Sequence, residues 1–293
     1  MGKAHRQRRV QGHPGRQRLK PPAHTVGVFD SGVGGLSVLH ALLAELPQAR
    51  FVYVADRAYA PYGERTPEAV TERSQRIVAG LRAAYPIDAL VVACNTATAL
   101  AIDALRHRHH DLPFIGVEPA LKPAATLSRT RHIGVMATRG TLASERYRRL
   151  QQRLEHGSAE HRPHFHNQPC DGLADAIERG DAVLTRSLCE RYVQSLWQQA
   201  PADAPIDTLV LGCTHYPFEA DRLQALCGPS VTLVDTGLPV ARRTHEVLQA
   251  HTPLSPSSAL PRLTLLSTAE PDALGTVARR WLGVETAASL WTC

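Results

Sequence analysis

Ile87-Asp88-Ala89-Leu90-Val91-Val92-Ala93-Cys94-Asn95-Thr96 aligns without a gap on Ile206-Asp207-Thr208-Leu209-Val210-Leu211-Gly212-Cys213-Thr214-His215. Each stretch opens with Ile-Asp, continues as an unbroken apolar run and ends in a cysteine followed by polar residues. Runs of this kind are the pattern of strands buried on both faces of a parallel sheet. All buried parallel strands look alike to some degree, but the shared Ile-Asp start and the same-register cysteine favour a duplicated unit. The expectation is two similar α/β lobes, each presenting one cysteine at the end of a strand.

The flanking sequence repeats the same grammar. Val26-Gly27-Val28-Phe29 runs into Asp30-Ser31-Gly32-Val33-Gly34-Gly35, after which Leu36, Val38, Leu39, Leu42 and Leu43 recur at helical spacing. Phe51–Val54 and Phe114–Val117 read as further strands, Pro67 through Tyr85 and Ala97 through Leu105 as helices, and Ala60-Pro61-Tyr62-Gly63 as a turn. In the second half Ile133–Thr138 echoes Val26–Ser31, and a last strand, Leu263–Leu266, precedes a helix ending near Trp281-Leu282. Strands alternating with helices give an α/β fold of two pseudo-symmetric, doubly wound parallel-sheet lobes with a cleft between them. The boundary falls near Glu118-Pro119. Residues 25–118 and 231–293 form the first lobe, with Cys94; residues 119–230 form the second, with Cys213. The chain returns to the first lobe through Val231–Val234, and 252–262 reads as a surface loop.

Composition narrows the function. The chain has 293 residues, 43% hydrophobic and 20% charged, which suits a soluble globular protein. No apolar run approaches the roughly 20 residues of a bilayer span, and the basic start lacks the apolar stretch of a secretory signal, so a cytoplasmic protein is expected. The formal charge of +6 is located in residues 1–24, which hold seven Lys and Arg and no acid; the rest of the chain is at −1. The high pI therefore belongs to a tail, rich in Gln, Gly, Pro and His, that reads as disordered, and a nucleic-acid-binding face on the folded body is not expected. Lys122 is the single lysine beyond the tail. It lies in no P-loop, and its proline-flanked setting suits no Schiff base, which excludes P-loop nucleotide hydrolysis and pyridoxal phosphate chemistry. Six cysteines without a C-x-x-C pair do not form a zinc site or a disulfide framework. The C-x-H of Cys213 and His215 and the H-x-H of His164 and His166 lack a four-ligand pattern.

Ligands of open α/β sheets bind beyond the carboxyl ends of the strands, and Asp30, Cys94, Thr138 and Cys213 fall there. A cysteine that opens a helix meets unsatisfied N–H groups and the positive end of the helix, which favours the thiolate. A buried cysteine can also serve as a small hydrophobe; two at equivalent points of a duplicated unit favour function. Cys170, Cys189, Cys227 and Cys293 lack that context. Asp30–Gly35 is not a dinucleotide loop, because its last glycine would fall at Ser37; its N–H groups suit a carboxylate. Two thiols facing one another across a cleft supply a base on one face of a carbon and an acid on the other. Asp30 and His215 are placed to orient or tune the thiols, or to hold a substrate ammonium.

These residues resemble the glutamate racemases of the aspartate/glutamate racemase superfamily. The resemblance rests on Val28–Leu36, Pro61-Tyr62-Gly63, Ala93–Thr98, Gly116–Pro119 and Leu211–Pro217, in order and spacing over residues 25–285. It implies cofactor-independent interconversion of L- and D-glutamate, supplying D-glutamate for peptidoglycan, with Cys94 and Cys213 as the acid/base pair. It implies substrate contacts at Asp30, Ser31, Pro61, Tyr62, Gly63, Asn95, Thr96, Thr138, Thr141, Thr214 and His215. The family's carboxylate after a Cys-Pro segment corresponds to Asp175, shorter than the usual Glu and without the Pro, and the usual Gly-Asp after the last strand reads Ala269-Glu270. A homodimer is implied, and the tail resembles extensions of members activated by a cell-wall precursor, UDP-N-acetylmuramoyl-alanine. Some members also bind DNA gyrase, which nothing else in this sequence supports. Racemisation of aspartate is the neighbouring reading, since the two-cysteine core does not fix side-chain length.

Overall fold

The computed structural model describes residues 24–156, 162–251 and 262–293. Nearly all of the basic tail and of the expected surface loop at 252–262 lie outside the described residues. The chain begins with β1 (Thr25–Asp30), α1 (Leu36–Glu45), β2 (Arg50–Ala55), α2 (Pro67–Ala84), β3 (Ala89–Val92), α3 (Asn95–Arg108) and β4 (Phe114–Gly116). It crosses through α4 (Leu121–Leu127) into β5 (His132–Ala137), α5 (Arg139–Ala143), α6 (Glu145–Glu155) and β6 (His164–Pro169). There follow α7 (Leu173–Arg179), α8 (Ala182–Trp197), β7 (Thr208–Gly212), α9 (Ala220–Cys227) and β8 (Thr232–Val234). The return consists of α10 (Gly237–His251), β9 (Leu263–Ser267), α11 (Pro271–Leu282) and β10 (Ala288–Leu290).

Two sheets result, in the orders β10-β9-β2-β1-β3-β4 and β6-β5-β7-β8, with every pairing parallel. The segment β2-β1-β3-β4 and the whole second sheet have the same strand order, so β1 corresponds to β5 and β3 to β7. The gapless Cys94/Cys213 alignment is thus a repeat in space as well as in sequence. The same correspondence corrects one expectation. Val231–Val234 does not return to the first lobe: Thr232 pairs with Thr208 and Val234 with Val210, making β8 the edge strand of the second sheet. The duplicated unit requires a fourth strand, and β8 fills that role. The return comes with α10, whose Val240, Ala241, Val247 and Leu248 enter the first-lobe core beside α1.

Alternation along the buried strands divides each lobe's core in two. Val26, Val28, Phe51, Tyr53, Ala89 and Val91 pack on one face under α1, α10 and α11. Phe29, Val52, Val54, Leu90 and Val92 pack on the other under α2 and α3. In the second sheet Met136, Leu209 and Leu211 face α7, α8 and α9, while Ile133, Val135 and Val210 face α4 and α6. Side chains of successive strand residues point to opposite faces, so strands covered on both faces must be apolar at every position. Polar side chains are thereby displaced to the strand ends.

Candidate active site

Each central strand carries its first functional side chain at or just past its carboxyl end: Asp30 on β1, Cys94 after β3, Thr138 after β5 and Cys213 after β7. Cys94 is also the N-cap of α3, its sulfur accepting the Ala97 N–H at 3.4 Å. Thr138 caps α5 in the same way through the Thr141 N–H.

Asp30 is fully buried. Its Oδ1 accepts the Ser31 hydroxyl at 3.0 Å and the Gly32 N–H at 2.9 Å. Its Oδ2 accepts the Thr214 hydroxyl of the second lobe at 3.0 Å. Ser31 Oγ in turn accepts from Cys94 Sγ at 3.6 Å. One carboxylate is therefore tied to Cys94 through Ser31 and to the residue after Cys213 through Thr214. Cys94 and Cys213 are both buried, 5% and 6% exposed.

On the second-lobe side His215 Nδ1 lies 3.8 Å from Cys213 Sγ, and its Nε2 lies 2.8 Å from Glu178 Oε2. Glu178 Oε2 also accepts the Val33 N–H of the first lobe at 2.8 Å. This approach explains the glycines after β1. A Cβ on Gly32 would stand 2.3 Å from Glu178 Oε2, and one on Gly34 2.4 Å from His215 Nδ1. The loop holds carboxylates by its N–H groups, as its sequence suggests, and the ones it holds here are the protein's own.

Burial dominates the electrostatics. It raises Asp30 to about 6, against the opposing field of His215 and the Gly32 hydrogen bond. Burial, reinforced by the Asp30 charge, pushes the Cys94 thiol up to about 12. The helix-start argument alone would lower that thiol; the Ala97 N–H does act in that direction, but desolvation outweighs it. Burial would likewise neutralise His215, yet its hydrogen bonds to Cys213 and Glu178 hold it well above the ordinary histidine value. For Glu178 burial disfavours the charge, while His215, the Val33 N–H and Arg57 together hold it below the usual carboxylate range.

A second ring closes the cleft. Thr96 Oγ1 of the first lobe is 3.1 Å from Thr138 Oγ1 of the second, which donates to Thr141 Oγ1 at 2.9 Å. Gly63 lies against Thr138, where a Cβ would be only 3.1 Å from the threonine Cβ. Tyr62 is buried but directs its hydroxyl away, to Asp56 Oδ2 at 2.6 Å; Arg73 grips the same carboxylate bidentately at 2.8 Å. Pro61-Tyr62-Gly63 therefore meets the cleft through Gly63, with Pro61 half-buried beside it. Asn95 gives its amide N–H to the Val117 carbonyl at 3.5 Å. Its Oδ1 is buried and accepts nothing from the described residues.

A sequence profile of the Asp/Glu/Hydantoin racemase family matches residues 30–244, the span that carries every side chain just described. The chain belongs to that family. Among its relatives, the glutamate racemase of Pseudomonas aeruginosa is 42% identical over 265 residues, 85% of this chain and 96% of that protein. The glutamate racemase of Ralstonia pickettii is 48% identical over 229 residues, 77% of this chain and 76% of the relative. The crystal structure of Escherichia coli glutamate racemase, in complex with L-glutamate and the activator UDP-MurNAc-ala, superposes with a TM-score of 0.79 at 34% identity. That match covers 91% of this chain and 98% of the other. A glutamate racemase isoform from Bacillus anthracis gives 0.78 at 29% identity, covering 92% and 97%.

Within this racemase architecture one residue expected at the site stands apart from it. Asp175 lies on α7 and pairs with Arg179 one turn on. The carboxylate that reaches His215 is Glu178, three residues further along the same helix. A signal for it was present: Glu178 sits in the last turn before the Gly180 cap, where the helix carbonyls disfavour an acid unless other donors hold it. Sequence reading also misses Arg57, whose Nε lies 2.8 Å from Glu178 Oε1. The H-x-H of His164 and His166 lies on β6, where His166 Nε2 meets His132 Nδ1 at 2.9 Å. Among the described residues no three His, Cys, Asp or Glu groups are disposed to hold a metal, and no helix is long and apolar enough to cross a membrane.

Proposed function

We propose that the chain interconverts L- and D-glutamate without a cofactor by carrying the α-proton between Cys94 and Cys213, supplying D-glutamate for peptidoglycan. The observation that carries this reading is the pair of thiols at equivalent strand ends, one per lobe: Cys94 is linked to the Asp30 carboxylate through Ser31, and Thr214, the residue after Cys213, donates to the same carboxylate. A thiolate on one face takes the α-proton, the electron pair stays on carbon, and the opposite thiol returns a proton to the other face. Each turnover exchanges the protonation states of the two sulfurs, and the reverse reaction restores them. His215 stands where it can take or return the Cys213 proton. Asp30 and Asn95 Oδ1 provide acceptors for the substrate ammonium, and that positive charge offsets the burial and the Asp30 charge that keep Cys94 protonated. On binding, the hydroxyls of Ser31, Thr96, Thr138 and Thr214 exchange the partners they have here, Asp30 and the neighbouring threonines, for the substrate carboxylates.

The test is optical. Incubation of either glutamate enantiomer with the protein is expected to bring its circular dichroism to zero, with solvent deuterium entering the α-carbon. Cys94→Ser and Cys213→Ser are each expected to slow the decay severely, and full racemisation by both variants would end the two-thiol reading. The E. coli relative holds L-glutamate together with UDP-MurNAc-ala, which supports activation by that precursor here too. The expected outcome is a faster rate on its addition, and an unchanged rate removes the idea. A homodimer in the cytoplasm completes the reading; sedimentation at micromolar protein tests the assembly.

A further inference from the structure

Arg57 has no part in the reaction as described, yet its side chain is only 9% exposed. It follows β2 on the first lobe, in the 3-10 turn Arg57–Tyr59. Its Nη2 lies 3.1 Å from Glu270 Oε2, and its Nη1 donates to the Glu270 carbonyl at 3.4 Å. Glu270 stands just before α11 and so also belongs to the first lobe. Braced there, Arg57 reaches across the cleft to Glu178 Oε1, while the other oxygen of Glu178 holds His215. The Arg57–Glu178 contact is an ion pair without hydrogen-bond alignment, and among the described residues the first-lobe hydrogen-bond donor to this carboxylate is the Val33 N–H.

The geometry points to Arg57 as a positioning residue: held by Glu270, it grips Glu178 across the cleft, so that His215 is set against Cys213 only when the lobes are closed. The inference deepens the two-thiol reading, on which its kinetic consequences rest. A guanidinium suits this task because it stays charged and presents its donors in a rigid fork. An imidazole set only on closure keeps the second-lobe thiol inactive until substrate is enclosed.

Glu178 is faced by His215, Arg57 and Asp30, with Tyr53 close by, and Arg57 faces Glu270 on its outer side. Loss of Arg57 removes a charge that favours ionised Glu178, so the acid limb of the rate profile must move to higher pH. In Arg57→Ala, kcat/KM is expected to fall roughly 10- to 100-fold, the scale of a misplaced catalytic group. The fall must be equal in both directions, because enantiomers have the same free energy. Arg57→Lys, which keeps the charge but not the fork, is expected to restore the acid limb and part of the rate.

A measurement without substrate accompanies the kinetics: iodoacetamide labelling of the full-length protein, read by peptide mapping. Arg57→Ala is expected to label Cys94 and Cys213 several-fold faster while buried Cys170 and Cys189 remain at the wild-type rate. Wild-type kinetics and acid limb in Arg57→Ala overturn the proposal. So does unchanged labelling, or parallel acceleration of all four cysteines, which would mark general loosening. Should the wild-type protein fail to racemise glutamate, the reaction reading falls, and the labelling contrast still decides the role of Arg57.

Discussion

Cys94 and Cys213 occupy the same place in two copies of one unit, yet their surroundings differ. Cys94 caps the 14-residue helix α3, and among the described residues its sulfur hydrogen-bonds one N–H and one hydroxyl. Cys213 opens into a short 3-10 turn, Tyr216–Glu219, preceded by an imidazole that is itself held by a buried carboxylate. The repeated unit places the two sulfurs at equivalent strand ends, while the residues around each cysteine differ and give the two thiols unlike hydrogen-bond surroundings. The two equivalent strand ends are thus chemically unlike.

The sharpest way to break this comparison is to remove one sulfur at a time. Cys94→Ser is expected to lower kcat/KM by about 10²- to 10⁴-fold, the range of a lost general acid or base. Cys213→Ser leaves a hydroxyl beside His215, which can take its proton as in other activated serines. Its residual rate should exceed that of Cys94→Ser. Equal residual rates would show that the imidazole does not serve the second sulfur.

His215→Asn and Glu178→Gln probe the same asymmetry more gently. Each is expected to cost roughly 10- to 100-fold in kcat/KM. In Glu178→Gln the carboxylate whose ionisation is lost at low pH is absent. The acid limb assigned to it should flatten, while Asp175→Asn, at the residue paired with Arg179, leaves rate and profile unchanged.

Asp30 is shared by both halves, so its replacement tests what they have in common. Its folded-state value, raised to about 6 by burial, exceeds the ordinary 3.8. Burial therefore favours the protonated form, and the associated stability is fully present below about pH 4 and lost as pH rises through 6. At pH 7 the ionised group costs up to about 3 kcal/mol, as an order of magnitude. Asp30→Asn should melt at higher temperature than wild type at pH 7, with the difference vanishing near pH 4, and should racemise more slowly. A lower melting temperature at neutral pH would show that the three hydrogen bonds to the carboxylate outweigh its burial.

What the sequence discloses of all this follows the same physics. β3 and β7 are legible because both faces of each are buried, which forces the continuous apolar runs that end at the cysteines. β6 reads His-Phe-His-Asn-Gln-Pro and lies at a sheet edge with polar side chains partly in solvent, so it lacks that pattern. The three-residue β8 carries no mark of its partner, and only the completed pairing assigns it to the second sheet. Site residues on strand ends are likewise visible as the first polar groups after apolar runs. Glu178 and Arg57 come from a seven-residue helix and a single 3-10 turn, where direction depends on which face meets the opposite lobe.

The smallest expected effect belongs to the rim, where the two halves touch through Thr96 and Thr138. Thr96→Val keeps the shape and removes the hydroxyl, so the loss is one neutral hydrogen bond, about 0.5–1.5 kcal/mol. Because that contact joins the two lobes and the same hydroxyl is proposed as a donor to substrate, the loss should be read in KM, as a rise of a few-fold, with the melting temperature nearly unchanged. Thr138→Val removes the same contact and also the cap of α5, so its effect should be larger and partly structural. The double variant separates the two: the effects should fall short of additivity by the energy of the shared bond. Full additivity in KM would mean that the threonines act independently and that the other contacts between the lobes, such as Glu178 with the loop after β1, Thr214 with Asp30 and Arg146 with Asp103, hold the cleft.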